Sequence, residues 1–219
     1  MNKTAAQPNA DENTVHIWVF SLDPTKKTKA LKNKASRDCL HHALQAYNSK
    51  LRDDDLNTLK NPNGRPYLAN RNIPIDFNLS HSQACCMVAI TQAPFMVGID
   101  LEYMRPLKQP DKLAKRIFSA QDLALWHALD TEKQTMALMQ GWTRKEALTK
   151  ALGLPAPSHF ARWDTAFPPH APTDLTLTPE PPFNSPAHSW AILDFIEKNL
   201  VGAIATNQPN PKIIWHKTA

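Results

Sequence analysis

Read as apolar and polar positions, the chain alternates between short period-two runs and longer four-step stripes. "VHIWVF", residues 15–20, is β-branched and aromatic and reads as a short buried strand. In "RDCLHHALQAY", Leu40, Ala43, Leu44 and Tyr47 recur at helical spacing. "NPNGRPYL", 61–68, reads as a turn by its Asn, Pro and Gly. "IDFNLSHSQACCMVAIT", 75–91, reads as a strand, a polar corner and a second strand. The unbroken apolar run from Cys85 to Ile90 suits a strand covered on both faces. "FMVGIDLE", 95–102, is a third strand, and it carries acids. Residues 111–129 and 132–152 read as two helices, the second stopped by Gly153 and Pro155. Eleven of the 19 prolines fall between 155 and 211, so that part is expected to be loop-rich, with "SWAILDF" and "LVGAIAT" as its strands. Strand, basic helix and strands are followed by acid-bearing strand, helices and strands. That order is a weak echo of duplication, with "MVAIT" and "GAIAT" as counterparts.

Composition narrows the class. The 219 residues allow one large domain or two small ones, and 42% hydrophobic content supports a packed core. The three cysteines have no zinc-ligand spacing, and the adjacent Cys85 and Cys86 cannot readily pair with each other. They read as reduced thiols in a core. The opening "MNKTAAQPNADENT" is polar and lacks the apolar stretch of a signal peptide. No apolar run is long enough to span a bilayer, so a cytoplasmic protein without a membrane partner is expected. The net charge of +5 favours anionic partners without choosing among phosphates, nucleic acid and acidic protein surfaces. Six basic residues and no acidic one lie between Lys26 and Arg37.

Candidate chemistry starts at "GIDLE". Asp100 and Glu102 are two apart on a strand, so their carboxylates share a face while Ile99 and Leu101 take the other. Like charges this close repel unless a cation sits between them, and a hard divalent ion with oxygen ligands would resolve that. Spacing alone also allows an edge strand with two solvated acids. Downstream, Leu138, Trp142, Glu146 and Lys150 recur every fourth residue and form one stripe that begins apolar and ends charged. Glu146 could join the two acids, with Lys150 one turn on to bind an anion. Spacing alone equally allows an ordinary helix ion pair contributing a few tenths of a kcal/mol.

Taken together, "NGRPYL", "FNLSHS", "VGIDLE", "AKRIFSAQDL" and "WTRKEALTKALG" resemble the 4′-phosphopantetheinyl transferases, in particular the surfactin-synthetase type with both halves in one chain. The resemblance runs from about 63 to 153; the helix with Arg37 and "LVGAIAT" fit more loosely. It implies an α+β fold of two similar halves, each a small antiparallel sheet packed on a helix, related by a pseudo-twofold axis. The implied division is a tail at 1–14, an N-terminal half at 15–97 on the nucleotide side, and a C-terminal half at 98–219 carrying the acids. It implies transfer of 4′-phosphopantetheine from coenzyme A to a serine of an apo acyl, polyketide or peptidyl carrier protein. By position, Asp100, Glu102 and Glu146 would bind Mg²⁺, with Mn²⁺ as the alternative, and Lys150 would hold phosphate. Glu146 is the first choice of base and Asp122 the second, since the family often has Glu where this chain has Asp122. Ser80 and His81 match residues near the 3′-phosphate. Arg65, Arg37 and Lys145 are further phosphate contacts, with Lys34 a weaker one. A monomer is expected, the pseudo-dimer being built into one chain.

Two other readings fit parts of the sequence. A Mg²⁺-dependent nuclease or phosphatase is disfavoured because nucleases with an E-x-K pair place it on a strand, whereas here E-x-x-x-K is helical. A nucleic-acid-binding module built on the basic run would leave Asp100, Glu102 and Glu146 unexplained, and no zinc finger or aromatic stacking series supports it.

Overall fold

The computed structural model describes residues 13–23, 25, 28–155, 160–162, 173–176 and 189–218. Most of the proline-rich stretch, nearly all of the expected tail, and Lys26 and Lys27 of the basic run therefore lie outside the described residues.

The first half contains β1 (Thr14–Ser21), α1 (Lys29–Tyr47), the short hairpin β2 (Thr58–Lys60) and β3 (Pro66–Leu68), then β4 (Ile75–Ser82) and β5 (Cys85–Gln92). The second contains β6 (Val97–Tyr103), α2 (Pro110–Ile117), α3 (Ala120–His127), α4 (Thr131–Leu152), β7 (Thr173–Thr176), β8 (Ser189–Glu197), β9 (Leu200–Thr206) and β10 (Lys212–Lys217). One sheet has the order β10-β1-β5-β4, the other β6-β9-β8-β7. The pattern β1-β5-β4 repeats as β6-β9-β8, so each half sets its first strand beside its last and its middle strand outside. β5 and β9, which carry "MVAIT" and "GAIAT", are the counterparts. This is the expected α+β fold of two like halves with a pseudo-twofold relation.

Alternation explains the layers. His16, Trp18 and Phe20 of β1 point one way; Trp18 and Phe20 pack with Leu40, Ala43 and Leu44 of α1. Val15 and Ile17 point the other way and pack with Met87, Ala89, Val97, Ile99, Leu101 and Ile204, an apolar layer shared by both sheets. α4 covers the far face of the second sheet through Ala147, Leu148 and Ala151 against Trp190, Ile192, Ala203 and Ala205. β5 is buried on both faces from Cys86 to Thr91, as its unbroken apolar run implied.

Two expectations change in detail, and a third is placed. The helix expected over 111–129 is two helices. Phe118 turns extended, and Ser119 caps α3 by accepting from the Asp122 backbone N–H at 3.1 Å. From Lys29 to Arg37 the basic run forms the first turns of α1, capped by Thr28, in keeping with the expected basic helix. The division at 97/98 is crossed by the last strand: β10 pairs in parallel with β1, Thr14 opposite Lys212 and Val19 opposite Lys217, so it belongs to the first half's sheet.

Candidate active site

The site forms where the edge strands β4 and β6 meet under α4. Four polar side chains of β4, spaced by two, face β6. Asp76 accepts the Val97 N–H at 2.8 Å, Asn78 the Ile99 N–H at 3.2 Å, and Ser82 the Tyr103 N–H at 2.9 Å. β6 pairs on its other side with β9. The β4 side chains thus satisfy an edge whose amides would otherwise be buried without partners. Gly98 sets the distance to the helix. A Cβ there would fall on the Ala147 carbonyl and within 2.6 Å of the Ala151 nitrogen. Only glycine lets the α4 backbone lie this close to β6.

With the helix seated, Asp100 and Glu102 from β6 and Trp142, Glu146 and Lys150 from α4 line one cleft of about 370 Å³, joined by Leu79, Ser80 and His81 from β4 and by Leu101. Asp100 is buried. Its Oδ1 accepts from Lys150 Nζ at 2.6 Å and from the Ser80 hydroxyl at 2.9 Å. Its Oδ2 is buried and has no hydrogen-bond partner among the described residues. The Lys150 ammonium also reaches Ser80 Oγ at 3.1 Å and the Ile99 carbonyl at 3.3 Å. Its side chain keeps 29% of its surface exposed, so it can still meet a ligand.

The cleft is short of positive charge. Burial, and then the negative charge of Asp100, push the Glu146 carboxyl up to about 7, with Glu102 adding and Lys150 opposing. Burial and Asp100 raise Glu102 as well, against Arg105, Lys150 and a long 3.5 Å contact from Ser82. Three carboxylates thus feel one another with one lysine among them, the donor chemistry that suits a hard divalent cation. The orphaned Asp100 Oδ2 fits that requirement. Among the described residues no three acidic, histidine or cysteine side chains stand as a ready-made metal cage.

Other sequence candidates fall elsewhere. Asp122 and Lys145 form an ion pair of 2.9 Å with side chains 1% and 0% exposed, and Lys145 also donates to the Phe160 carbonyl at 2.9 Å. Neither lines the cleft. Buried against each other, they tie α3 to α4, a geometry that suits structure rather than proton or phosphate handling. Arg65 is likewise engaged: Nε donates to the Lys150 carbonyl at 2.8 Å, and Nη2 to Asp76 at 2.7 Å and to the Val97 carbonyl at 3.2 Å. Beside it, Asn63 donates to the Gly153 carbonyl at 2.8 Å. Gly153 itself closes α4 with φ 65°, its N–H on Lys150 and that of Leu154 on Thr149. "NGRPYL" therefore clamps the end of α4 to the first half, directly behind Lys150. Arg37 and Lys34 are exposed on α1, outside the cleft-lining set. His81 is exposed at its rim. Sequence reasoning missed Gly98, Asp76 and Asn78; the glycine in "VGIDLE" and the polar alternation in "IDFNLSHS" were their only signals.

A family model described as the 4′-phosphopantetheinyl transferase superfamily matches residues 96–205. This chain belongs to that superfamily. The matched span includes Asp100, Glu102, Glu146 and Lys150; Ser80 and His81 precede it. Among proteins similar to this superfamily member, the 4′-phosphopantetheinyl transferase HetI of Nostoc sp. is 34% identical over 163 residues, 70% of this chain and 62% of that protein. A putative 4′-phosphopantetheinyl transferase of Synechocystis sp. is 37% identical over 93 residues, 42% of this chain and 37% of that one. The 4′-phosphopantetheinyl transferase AcpT of Salmonella typhi is 38% identical over 80 residues, 36% of this chain and 41% of its own length. The matches therefore cover less than two thirds of each relative. No helix among the described residues is long and apolar enough to cross a membrane.

Proposed function

We propose that this protein is a transferase of the surfactin-synthetase type, with both halves in one chain. It moves 4′-phosphopantetheine from coenzyme A to a serine hydroxyl of an apo acyl, polyketide or peptidyl carrier protein and releases 3′,5′-adenosine diphosphate. The observation that carries this reading is the convergence of Asp100, Glu102, Glu146 and Lys150 on one cleft at the seam of two like halves.

Asp100, Glu102 and Glu146 would hold Mg²⁺, with Mn²⁺ the alternative, the buried Asp100 Oδ2 being one donor. When bound, the cation neutralises pyrophosphate charge and polarises the phosphoryl oxygen. Lys150 binds the phosphate under attack, its ammonium already fixed by Asp100 and Ser80, so little reorganisation accompanies the charge change. Glu146 takes the proton of the attacking serine, directly or through water, from its place in the cleft beside Lys150. The serine oxygen bonds to the phosphorus that carries pantetheine, and the bond from that phosphorus to the adenosine diphosphate oxygen breaks. His81 and Arg37, both exposed, serve the nucleotide on the first half. The net charge of +5 steers acidic carrier surfaces toward the enzyme and makes the encounter salt-sensitive.

The test is direct. Incubation with coenzyme A, Mg²⁺ and an apo acyl carrier protein, followed by mass spectrometry of the carrier, is expected to show one added phosphopantetheine, abolished by EDTA. No gain with several different apo carriers would overturn the reading.

A further inference from the structure

We propose that Ser80 is a positioning residue, which orients Asp100 toward the metal, rather than a contact to the nucleotide. The proposal rests on the function read above and assigns a role inside that site. A serine hydroxyl has one proton to donate. In Ser80 that proton goes to Asp100 Oδ1 at 2.9 Å, while the same oxygen accepts from Lys150 Nζ at 3.1 Å. Nothing remains to donate to a phosphate oxygen, and the residual lone pair would meet an anion with repulsion. Ser80 and Asp100 are both buried, so the bond between them does not compete with bulk water.

The consequence is an asymmetric carboxylate. Oδ1 is saturated by Ser80 and Lys150, and Oδ2 is left buried with no hydrogen-bond partner. The Ser80 hydroxyl restrains rotation of the carboxylate, because it holds Oδ1 from the opposite half of the molecule. Two residues on, the arrangement is echoed more loosely: Ser82 accepts the Tyr103 N–H at 2.9 Å and lies 3.5 Å from Glu102 Oε2. The serines of "SHS" thus stand in register with the acids of "DLE", and the residue between them, His81, is exposed and keeps its ring for the nucleotide. The first half sets the aim of ligands that belong to the second.

The full-length protein tests this without turnover. Mn²⁺ binding, followed by electron paramagnetic resonance in the absence of coenzyme A, is expected to weaken about tenfold in Ser80→Ala, as second-layer partners of metal ligands do. Coenzyme A binding in EDTA, followed by calorimetry, is expected to stay close to wild type. Ser80→Thr, which keeps the hydroxyl, should recover most of the Mn²⁺ affinity. Ser80→Cys gives the same reading if Ser80→Ala fails to fold. Unchanged Mn²⁺ affinity with weakened coenzyme A binding in Ser80→Ala would overturn the proposal and make Ser80 a nucleotide contact. A Ser80→Thr protein as weak as Ser80→Ala would overturn it too. Asp100→Asn separates the two levels: wild-type Mn²⁺ affinity there would remove the metal site itself, and the Ser80 role with it.

Discussion

Helix α4 carries two lysines that each hold an aspartate, and they teach opposite lessons. Lys145 meets Asp122 at 2.9 Å with both side chains essentially unexposed, and the Phe160 carbonyl accepts a further hydrogen bond from the ammonium. Lys150 meets Asp100 at 2.6 Å, yet 29% of its side chain is open, and Glu102 and Glu146 stand in the same cleft. The first pair is closed to solvent. The second is one cation among three carboxylates. Ion pairing does not mark a reactive site; unbalanced charge with an opening to solvent does.

The comparison breaks most visibly at the closed pair. Lys145→Met leaves Asp122 buried without its ammonium and is expected to cost about 3–5 kcal/mol in urea unfolding. Adding Asp122→Leu should recover most of that loss, since an apolar pair of similar volume replaces the ions. The open pair should respond the other way. Asp100→Asn or Glu146→Gln is expected to lower carrier modification on the order of 10²- to 10³-fold, as losing a charge-stabilising group does. The thermal midpoint should hold or rise, because a like charge has been removed. Near-normal turnover in either variant would take that residue out of the metal site.

A third pair, uncharged, gives the smallest effect at neutral pH. His16 Nδ1 and His216 Nε2 lie 2.9 Å apart where β10 docks on β1, with the rings of Trp18 and His216 stacked. Burial, reinforced by His216, pushes His16 down from 6.5 to about 4. Between those values the unfolded chain binds a proton that the folded chain refuses, so stability should fall as pH drops from 6.5 toward 4. Above 6.5 the contribution is constant. His16→Phe should flatten this slope in pH-dependent thermal melts; an unchanged slope would clear His16 of responsibility.

How much of this was legible follows from what is local. β4, β6, β8 and β9 were readable because alternation and apolar runs are properties of a few neighbouring residues. The stop at Gly153 was readable because a left-handed cap needs glycine. Asp100, Glu102, Glu146 and Lys150 were readable as a set only because two motifs were taken together. Partnerships across the chain were not readable. Nothing near Asp122 announces Lys145, nothing near Arg65 announces the end of α4, and Asp76 and Asn78 look like the solvent face of a strand until β6 lies beside them. The break before α3 was a local signal overlooked: Ser119 followed by Asp122 is a capping sequence in the middle of an apolar stripe.

β10 bears on how the protein is made. The other strands of the first sheet are complete once residue 92 has been synthesised, but the strand that covers β1 begins only at Lys212. During the interval, β1 presents a raw edge of Val, Ile, Trp and Phe, a template for any neighbouring chain. The nascent first half thus stays unfinished from the completion of β5 until β10 emerges, and translation speed and local crowding during that interval bear on its yield.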